Sequence, residues 1–179
     1  MEVLTSEQEL QLVKQAQNEI AAFSRLYQFY LPKLYNYAFY RTGSKQEAED
    51  VVSLTFIKAL EYLKKGETRY TSFKNWLYKV CSNIIIDNWR KSSHTECALP
   101  CCFDNNDVDF SEKIDDKLTI LQILYQLTEE QQQVLLLRHV QDLSICQVAE
   151  IMGKSEGAIK QLAYRGLKNM KERMAKSNG

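Results

Sequence analysis

Helix-start signals recur along the chain and limit its fold more than any other feature of the sequence. A Ser or Thr followed three residues later by Glu or Gln forms a capping box when apolar residues at helical spacing come next. Such patterns stand at Ser6–Glu9, Ser44–Glu47, Thr128–Gln131 and Ser144–Gln147. The 179 residues include only two prolines and six glycines, too few for the many tight turns of an all-β protein. Since no segment alternates like a strand, the sequence predicts an all-α protein.

The helical signals fall into two blocks, and the first should contain four helices. Pro32 lies inside the second of these and should kink or restart it. Gly43 and Gly66 stand where the second and third helices should end. The predicted helices run from Ser6 to about Gln17, from Phe23 to about Arg41, from Ser44 to about Lys65, and from Phe73 to Lys91.

A linker separates the first block from the second. Residues 92–117 contain Pro100, the polar run Asp104–Asp107 and little periodicity, which is typical of a tether. We therefore expect two small helical domains, residues 1–91 and residues 118–179, joined by a flexible acidic linker at residues 92–117.

The formal net charge is zero, but the charged residues are unevenly distributed. Residues 51–91 carry eight basic and three acidic side chains, a net charge of +5, and residues 154–176 carry seven and two, again +5. Residues 92–118 carry two basic and seven acidic side chains, a net charge of −5. Two basic helical segments favour two contacts with a polyanion such as nucleic acid, although solvated helix faces would give the same totals.

Targeting and membrane signals are missing from the sequence. It has no apolar run of the roughly 18 residues that a membrane-spanning helix needs. Its first residues show neither the basic nor the apolar region of a secretory signal. We therefore expect no membrane insertion, a cytoplasmic location and reduced thiols.

Three of the five cysteines lie in the linker: Cys97, Cys101 and Cys102, called here the linker cysteines. With His94 they could hold zinc, but adjacent cysteines chelate one tetrahedral ion poorly. We expect thiols and no metal or cofactor there, with a thiol or metal sensor as the alternative. Cys81 and Cys146 lie in predicted helices and are expected to be small core residues.

The most specific local pattern surrounds Gly153. A short helix with one buried face precedes it, and a turn leads through Ser155, a suitable N-cap, into a long last helix. At about 100° per residue, one side of that helix collects groups that suit a DNA major groove: Gly157, Lys160, Gln161, Tyr164, Lys168 and Lys171. The other side should pack inward: Ala158, Ile159, Leu162, Ala163, Leu167, Met170 and Met174. Its cations can neutralise phosphates and its glutamine can read a base edge; an ordinary amphipathic surface helix is the alternative.

The fourth helix is aromatic and basic. Its predicted core stripe is Phe73, Trp76, Leu77, Val80 and Ile84, and its polar stripe is Asn75, Lys79, Ser82, Asn83 and Arg90, flanked by Asp87. Amides for base edges, cations for phosphates and rings for stacking are what single-stranded nucleic acid needs. The alternative is that both tryptophans of this helix, Trp76 and Trp89, are packing residues.

Two sets of motifs resemble the extracytoplasmic-function (ECF) sigma factors, the small bacterial initiation subunits of the sigma-70 family. Similar to their region 2 are Ala48–Val52 and Thr55–Ala59, followed by Trp76-Leu77-Tyr78, Asn83, Asp87, Trp89 and Arg90. Similar to their region 4 are Leu127–Gln131 and Glu156–Lys160, followed by Arg165. The resemblance covers nearly the whole chain, with both regions in the family's order.

The resemblance implies a subunit that recognises DNA and is not an enzyme, in keeping with the absence of any catalytic motif. It implies that region 2 binds the clamp helices of the largest RNA polymerase subunit through Asp50, Val51, Val52 and Phe56. It places Lys79, Asn83, Asp87 and Arg90 at the melted minus-ten element, and the loop Glu67–Ser72 at a flipped base.

For region 4, the resemblance implies contact with the flap of the second-largest polymerase subunit and with the duplex minus-thirty-five element. The residues that the resemblance implies in DNA contact are Lys160, Gln161, Tyr164 and Arg165. Capping and the exposed stripe of the last helix add Ser155, Gly157 and Lys168 to the expected DNA-contacting residues. An anti-sigma factor is a further partner that the family allows.

The chain departs from the family pattern at two positions. Ser53 and Leu54 replace the usual glutamine and acidic residue after Val52, and Leu162 replaces a frequent arginine of the recognition helix. We therefore expect the details of the polymerase contact and the preferred DNA sequence to differ from those of better-known family members. A stand-alone helix-turn-helix regulator that uses only the C-terminal domain is the alternative function.

Overall fold

The structure is a computed structural model that describes residues 4–66, 72–92 and 114–177. Within these ranges every regular element is helical, which confirms the all-α prediction. The elements are α1 (Ser6–Ala16), α2 (Ile20–Thr42), α3 (Lys45–Lys64), α4 (Phe73–Ser92), α5 (Ile114–Tyr125), α6 (Glu129–Leu135), a π-helical turn (Leu136–Val140), α7 (Ile145–Met152) and α8 (Glu156–Ser177). The chain divides into two compact units, Met1–Cys101 and Cys102–Gly179.

Side-chain caps begin most of these helices, because the first backbone N–H groups of a helix have no partner within it. The Ser44 side chain caps α3, and Thr128 and Ser144 cap α6 and α7. At α1 the cap is Thr5, paired reciprocally with Gln8. The prediction of Ser6 was wrong by one residue, since Thr5–Gln8 satisfies the same capping pattern.

Helix α2 continues through Pro32, so the predicted restart does not occur. A proline removes one backbone hydrogen bond, yet the apolar residues on both sides of it, Leu26, Tyr30, Leu34 and Tyr37, are all buried. Packing of this face holds the helix together across the proline, and Gly43 ends it in the left-handed conformation, with φ 70°.

The core of the first unit lies between α2, α3 and α4. Fully buried residues from all three helices meet there: Leu26, Leu34, Tyr37, Ala48, Val51, Ala59, Leu77, Tyr78 and Ile85. A hydrogen bond of 2.8 Å joins the hydroxyls of Tyr37 and Ser82 inside this core. Helix α4 is therefore held along its length, which fixes the side chains that it turns outward.

The second unit packs α5, α6 and α7 against the long helix α8, and the π-helical turn contacts α6 and α7. Its core includes Val134, Leu137, Leu143, Val148, Ile151 and Ile159. The π-helical turn follows α6 without a break and ends near Asp142, which has a left-handed φ of 51°. The sequence pattern did not predict this widened turn.

Among the described residues, no helix combines the length and the apolar character needed to cross a lipid bilayer.

Candidate nucleic-acid interface

The turn between α7 and α8 is a defined helix-turn-helix junction. Gly153 ends α7 with φ 64°, a conformation that favours glycine. The Lys154 N–H donates to the Ala149 carbonyl at 3.1 Å, and the Lys154 ammonium lies 2.8 Å from the Glu130 carboxylate of α6. The Ser155 hydroxyl then accepts from the Ala158 N–H at 3.2 Å and caps α8 as predicted. These contacts fix the direction in which α8 begins.

The outer face of α8 is exposed throughout its first half. Every residue predicted to contact duplex DNA there is exposed: Ser155, Gly157, Lys160, Gln161, Tyr164, Arg165 and Lys168. The Tyr164 side chain is 70% exposed, an unusual position for an aromatic ring in a folded domain. Lys168 lies 4.0 Å from Glu172, an exposed pair that leaves the cation available. The face offers cations, an amide and an aromatic ring to the solvent.

The inner face of α8 differs from the prediction at three positions. Ile159 is fully buried as expected, but Leu167 and Met174 are exposed. Gly166 takes the inner position instead, where an added Cβ would lie 3.2 Å from Leu135 Cδ1. A side chain as large as leucine does not fit between helices packed this closely, so the wide apolar stripe predicted from spacing alone was wrong in its second half.

Of the α4 residues predicted to face the promoter, Asn83, Asp87 and Arg90 are exposed, while Lys79 is half-buried. The Arg90 guanidinium and the Asp87 carboxylate lie 4.0 Å apart on the surface. Two other members of the predicted polar stripe, Asn75 and Ser82, are buried instead. Ser82 turns inward because its hydroxyl pairs with Tyr37, so the polar surface is narrower than predicted.

The two tryptophans of α4 both contact other parts of the unit. Trp76 is buried, with its ring centroid 4.2 Å from Tyr62 and 6.1 Å from Phe73 in stacked geometry. Trp89 is half-buried, and the guanidinium carbon of Arg41 lies 4.8 Å from its ring centroid. Trp76 is thus a packing residue, while part of Trp89 stays accessible.

Helix α3 carries the residues predicted to bind polymerase. Asp50 is exposed, whereas Val51, Val52 and Phe56 belong to the core. Phe56 packs against Phe23 and Tyr27 of α2, with ring centroids 6.4 and 4.5 Å away. These three buried residues can shape the outer surface of α3 but do not form it.

Two apolar side chains of α3 lie on its outer surface: Leu54 is 44% exposed and Ile57 is 52% exposed. Sequence reasoning did not assign a role to either. The sequence did mark Leu54 as unusual, because it stands where the family usually has an acidic residue.

The cysteines of the described helices differ from one another. Burial raises the pKa of the Cys81 thiol to about 12, so this thiol is a core group as predicted. Cys146 is exposed, and its prediction as a core residue was wrong. It stands near the start of α7, on the side away from the buried Val148 and Ile151.

The linker cysteines, His94, residues 93–113 of the acidic linker and residues 67–71 of the predicted base-capturing loop lie outside the described residues, whereas residues 114–117 of the predicted linker belong to helix α5. Within the described ranges, no three His, Cys, Asp or Glu side chains are grouped so that they could hold a metal ion.

Comparisons with known proteins agree on one family. Residues 26–95 match the family described as Sigma-70 region 2, and residues 117–170 match Sigma-70, region 4. The chain is 34% identical over 168 residues to the ECF RNA polymerase sigma factor BldN of Streptomyces coelicolor, covering 90% of this chain and 64% of that relative. It is 30% identical over 162 residues to the ECF RNA polymerase sigma factor SigX of Bacillus subtilis, covering 85% of this chain and 83% of that relative.

The fold is similar to that of CnrH, whose structure was solved in complex with the cytosolic domain of CnrY. The TM-score is 0.74 at 20% sequence identity, and the match covers 93% of this chain and 97% of CnrH.

Proposed function

Because this chain belongs to the ECF sigma factors of the sigma-70 family, we propose that each of its two helical units performs one step of promoter recognition. An alternative sigma factor directs RNA polymerase to a particular set of promoters. That activity requires a surface for the melted strand, a surface for the upstream duplex, and a contact with core polymerase.

The first unit, with residues 1–91 as the region 2 domain, would read and melt the minus-ten element. Asn83 would meet an unpaired base, and Lys79 and Arg90 would approach phosphates with Asp87 beside them. The exposure of Asn83, Asp87 and Arg90 along the second half of α4 supports this assignment. Amide and cationic groups next to a half-accessible tryptophan suit a single strand.

The second unit, with residues 118–179 as the region 4 domain, would read the minus-thirty-five element as a duplex. An exposed helix face such as that from Ser155 to Lys168 can enter a major groove, which admits an α-helix. Lys160, Arg165 and Lys168 would neutralise phosphates, while Gln161 and Tyr164 would approach base edges. The linker at residues 92–117 would join the two contacts.

The polymerase contact would use the outer surface of α3, with Asp50 as its charged residue. We infer that the clamp helices of the largest subunit bind there, and that the flap of the second-largest subunit binds region 4. Such a protein works in the cytoplasm, catalyses no reaction itself and needs no cofactor. A protein inhibitor of the kind represented by CnrY for CnrH is a further candidate partner.

One observation carries this proposal: two separate units expose polar and basic helix faces, and both sigma regions match the same chain in the family's order. A stand-alone helix-turn-helix regulator would explain the face of α8 but gives no role to the face of α4. The two functions therefore differ in what they expect of Asn83.

The test compares one substitution in each helix, in holoenzyme assembled from the full chain and core polymerase. Asn83→Ala should reduce permanganate-reactive thymines near the start site and spare binding to an upstream duplex fragment. Gln161→Ala should relax preference at one upstream base pair, costing about 1–3 kcal/mol. Lys160→Ala should weaken duplex binding uniformly and lower the salt slope by about one.

Unchanged permanganate reactivity and transcript yield with Asn83→Ala would contradict the assignment of α4 and favour the stand-alone regulator.

A further inference from the structure

A buried carboxylate joins three helices at the beginning of α4. Glu9 of α1 is only 9% exposed. Its Oε1 atom accepts a hydrogen bond from the Lys74 backbone N–H at 2.7 Å and another from the Tyr30 hydroxyl at 2.9 Å. Glu9 is 65 residues before Lys74 in the chain, so this contact is a tertiary cap on α4.

The chemistry of the site favours a carboxylate there. The first N–H groups of a helix lack intrahelical partners, and the helix dipole places positive charge at the same end. The Ser72 hydroxyl accepts a hydrogen bond from the Asn75 N–H at 3.1 Å, and the Glu9 carboxylate accepts one from the N–H of the preceding residue, Lys74. Burial and the Glu9 carboxylate raise the pKa of Tyr30 well above its usual value, so the tyrosine remains a hydrogen-bond donor.

Two further polar contacts hold α4 at its middle and near its end. The Ser82 hydroxyl bonds to Tyr37 at 2.8 Å, and Arg41, itself buried, stacks on Trp89 at 4.8 Å. Ser82 is buried while the next residue, Asn83, is exposed. Because adjacent helix positions differ by about 100°, the direction in which Asn83 points depends on how α4 is rotated about its axis. A rotation of α4 would therefore move Asn83 away from the strand that it reads.

We propose that Glu9 is a positioning residue for promoter melting. By anchoring the first turn of α4 to α1 and α2, its carboxylate fixes the rotation and height of the helix that presents Asn83, Asp87 and Arg90. About nine residues, or 13–14 Å of helix, separate the anchor at Lys74 from Asn83. The inference rests on the proposed role of α4 in melting and adds a residue of α1 that touches no nucleic acid.

The test uses full-length variants in holoenzyme on a promoter that the wild-type chain opens. Glu9→Leu removes both acceptor contacts, whereas Glu9→Gln keeps an acceptor oxygen and loses only the charge. Val13→Ala, one turn further along α1 and also buried, is the matched control, because it weakens the same helix without touching the cap. Permanganate reactivity, binding to core polymerase and urea unfolding are measured for each.

Glu9→Leu should lower promoter opening about fivefold or more, as expected for one lost buried hydrogen-bonding group. Binding to core polymerase should stay within about twofold, because substitutions at well-separated sites usually act independently of one another. Glu9→Gln should recover most of the opening. Val13→Ala should lose stability to urea and keep its opening activity.

A purely structural role predicts something different: opening would follow urea stability for all variants, with Val13→Ala losing as much as Glu9→Leu. That result, or unchanged opening with Glu9→Leu, overturns the inference. If Glu9→Leu does not fold, Tyr30→Phe is measured in its place, because it removes one of the two groups that donate to Glu9. Reduced promoter opening with intact binding to core polymerase supports the inference, and unchanged opening overturns it. A wild-type chain that opens no promoter would instead contradict the proposed function.

Discussion

Replacing Gly157 with alanine should stabilise the second unit and weaken its binding to DNA. Gly157 is the second residue of α8, and a Cβ added there meets no heavy atom within 4 Å. The free protein therefore has no packing reason to keep a glycine at this position. A close approach of the DNA backbone would supply one, because a methyl group would occupy the space that the duplex needs.

The two effects have opposite signs and can be estimated. Alanine in place of an exposed helical glycine stabilises by about 0.4–1 kcal/mol, which slows exchange of the α8 amides about two- to fivefold. An extra methyl group in a tightly packed contact costs about 1–3 kcal/mol. That cost corresponds to upstream duplex binding that is about five- to 150-fold weaker.

Gly166→Ala in the same helix is the matched control. Its Cβ would lie 3.2 Å from Leu135 Cδ1 and 3.4 Å from Gln131 Cβ, and both neighbours are buried. Overpacking of about 1–3 kcal/mol then exceeds the gain in helix propensity of up to about 1 kcal/mol. Exchange in α8 should become faster, and DNA binding should fall only as far as folding does.

Hydrogen exchange of the full-length chain and titration of the holoenzyme with an upstream duplex fragment measure the two effects separately. If Gly157→Ala slows exchange as expected and duplex affinity stays within about twofold, the DNA does not approach this backbone and the reasoning is refuted.

Four further predictions concern other parts of the chain. Asp50→Arg should weaken association with core polymerase at least tenfold, about 1.4 kcal/mol, with unchanged helical content by circular dichroism; normal co-purification would contradict it. Tyr37→Phe should lower the free energy of unfolding in urea by about 1 kcal/mol, since it leaves the buried Ser82 hydroxyl without its partner; an unchanged midpoint would show that the bond contributes nothing. With the linker cysteines all changed to Ser, transcription should stay within about threefold; at pH 8 Cys146 should react rapidly with a thiol reagent, and Cys81, whose pKa is raised to about 12, only on unfolding.

The sequence predicted the features that depend on neighbours along the chain. Capping residues such as Ser44 and Ser144, and the exposed face of α8 around Lys160 and Gln161, follow from helical spacing alone. Thr5 shows the limit of that method, because two overlapping capping patterns differ by one residue and helical spacing alone does not select between them.

The features that depend on distant partners could not be predicted. Ser82 belongs to the polar stripe by spacing, but its hydroxyl bonds to a tyrosine 45 residues earlier in the chain. Glu9 looks like a solvated charge in the first turn of α1 until Lys74 and Tyr30 surround it. The sequence around Gly166 gives no reason for a glycine at this position. The reason is the closeness of Leu135, which leaves little space for a side chain there.

Mapping of start sites made by core RNA polymerase with and without this chain, on fragmented genomic DNA, tests whether the chain directs polymerase to promoters of its own. We expect a set of transcripts that requires the full-length chain, and the start sites of these transcripts should share an upstream duplex element and a melted minus-ten element. Asn83→Ala should reduce these transcripts. A chain that binds duplex DNA but produces no new start site with core polymerase would instead be a stand-alone DNA-binding regulator.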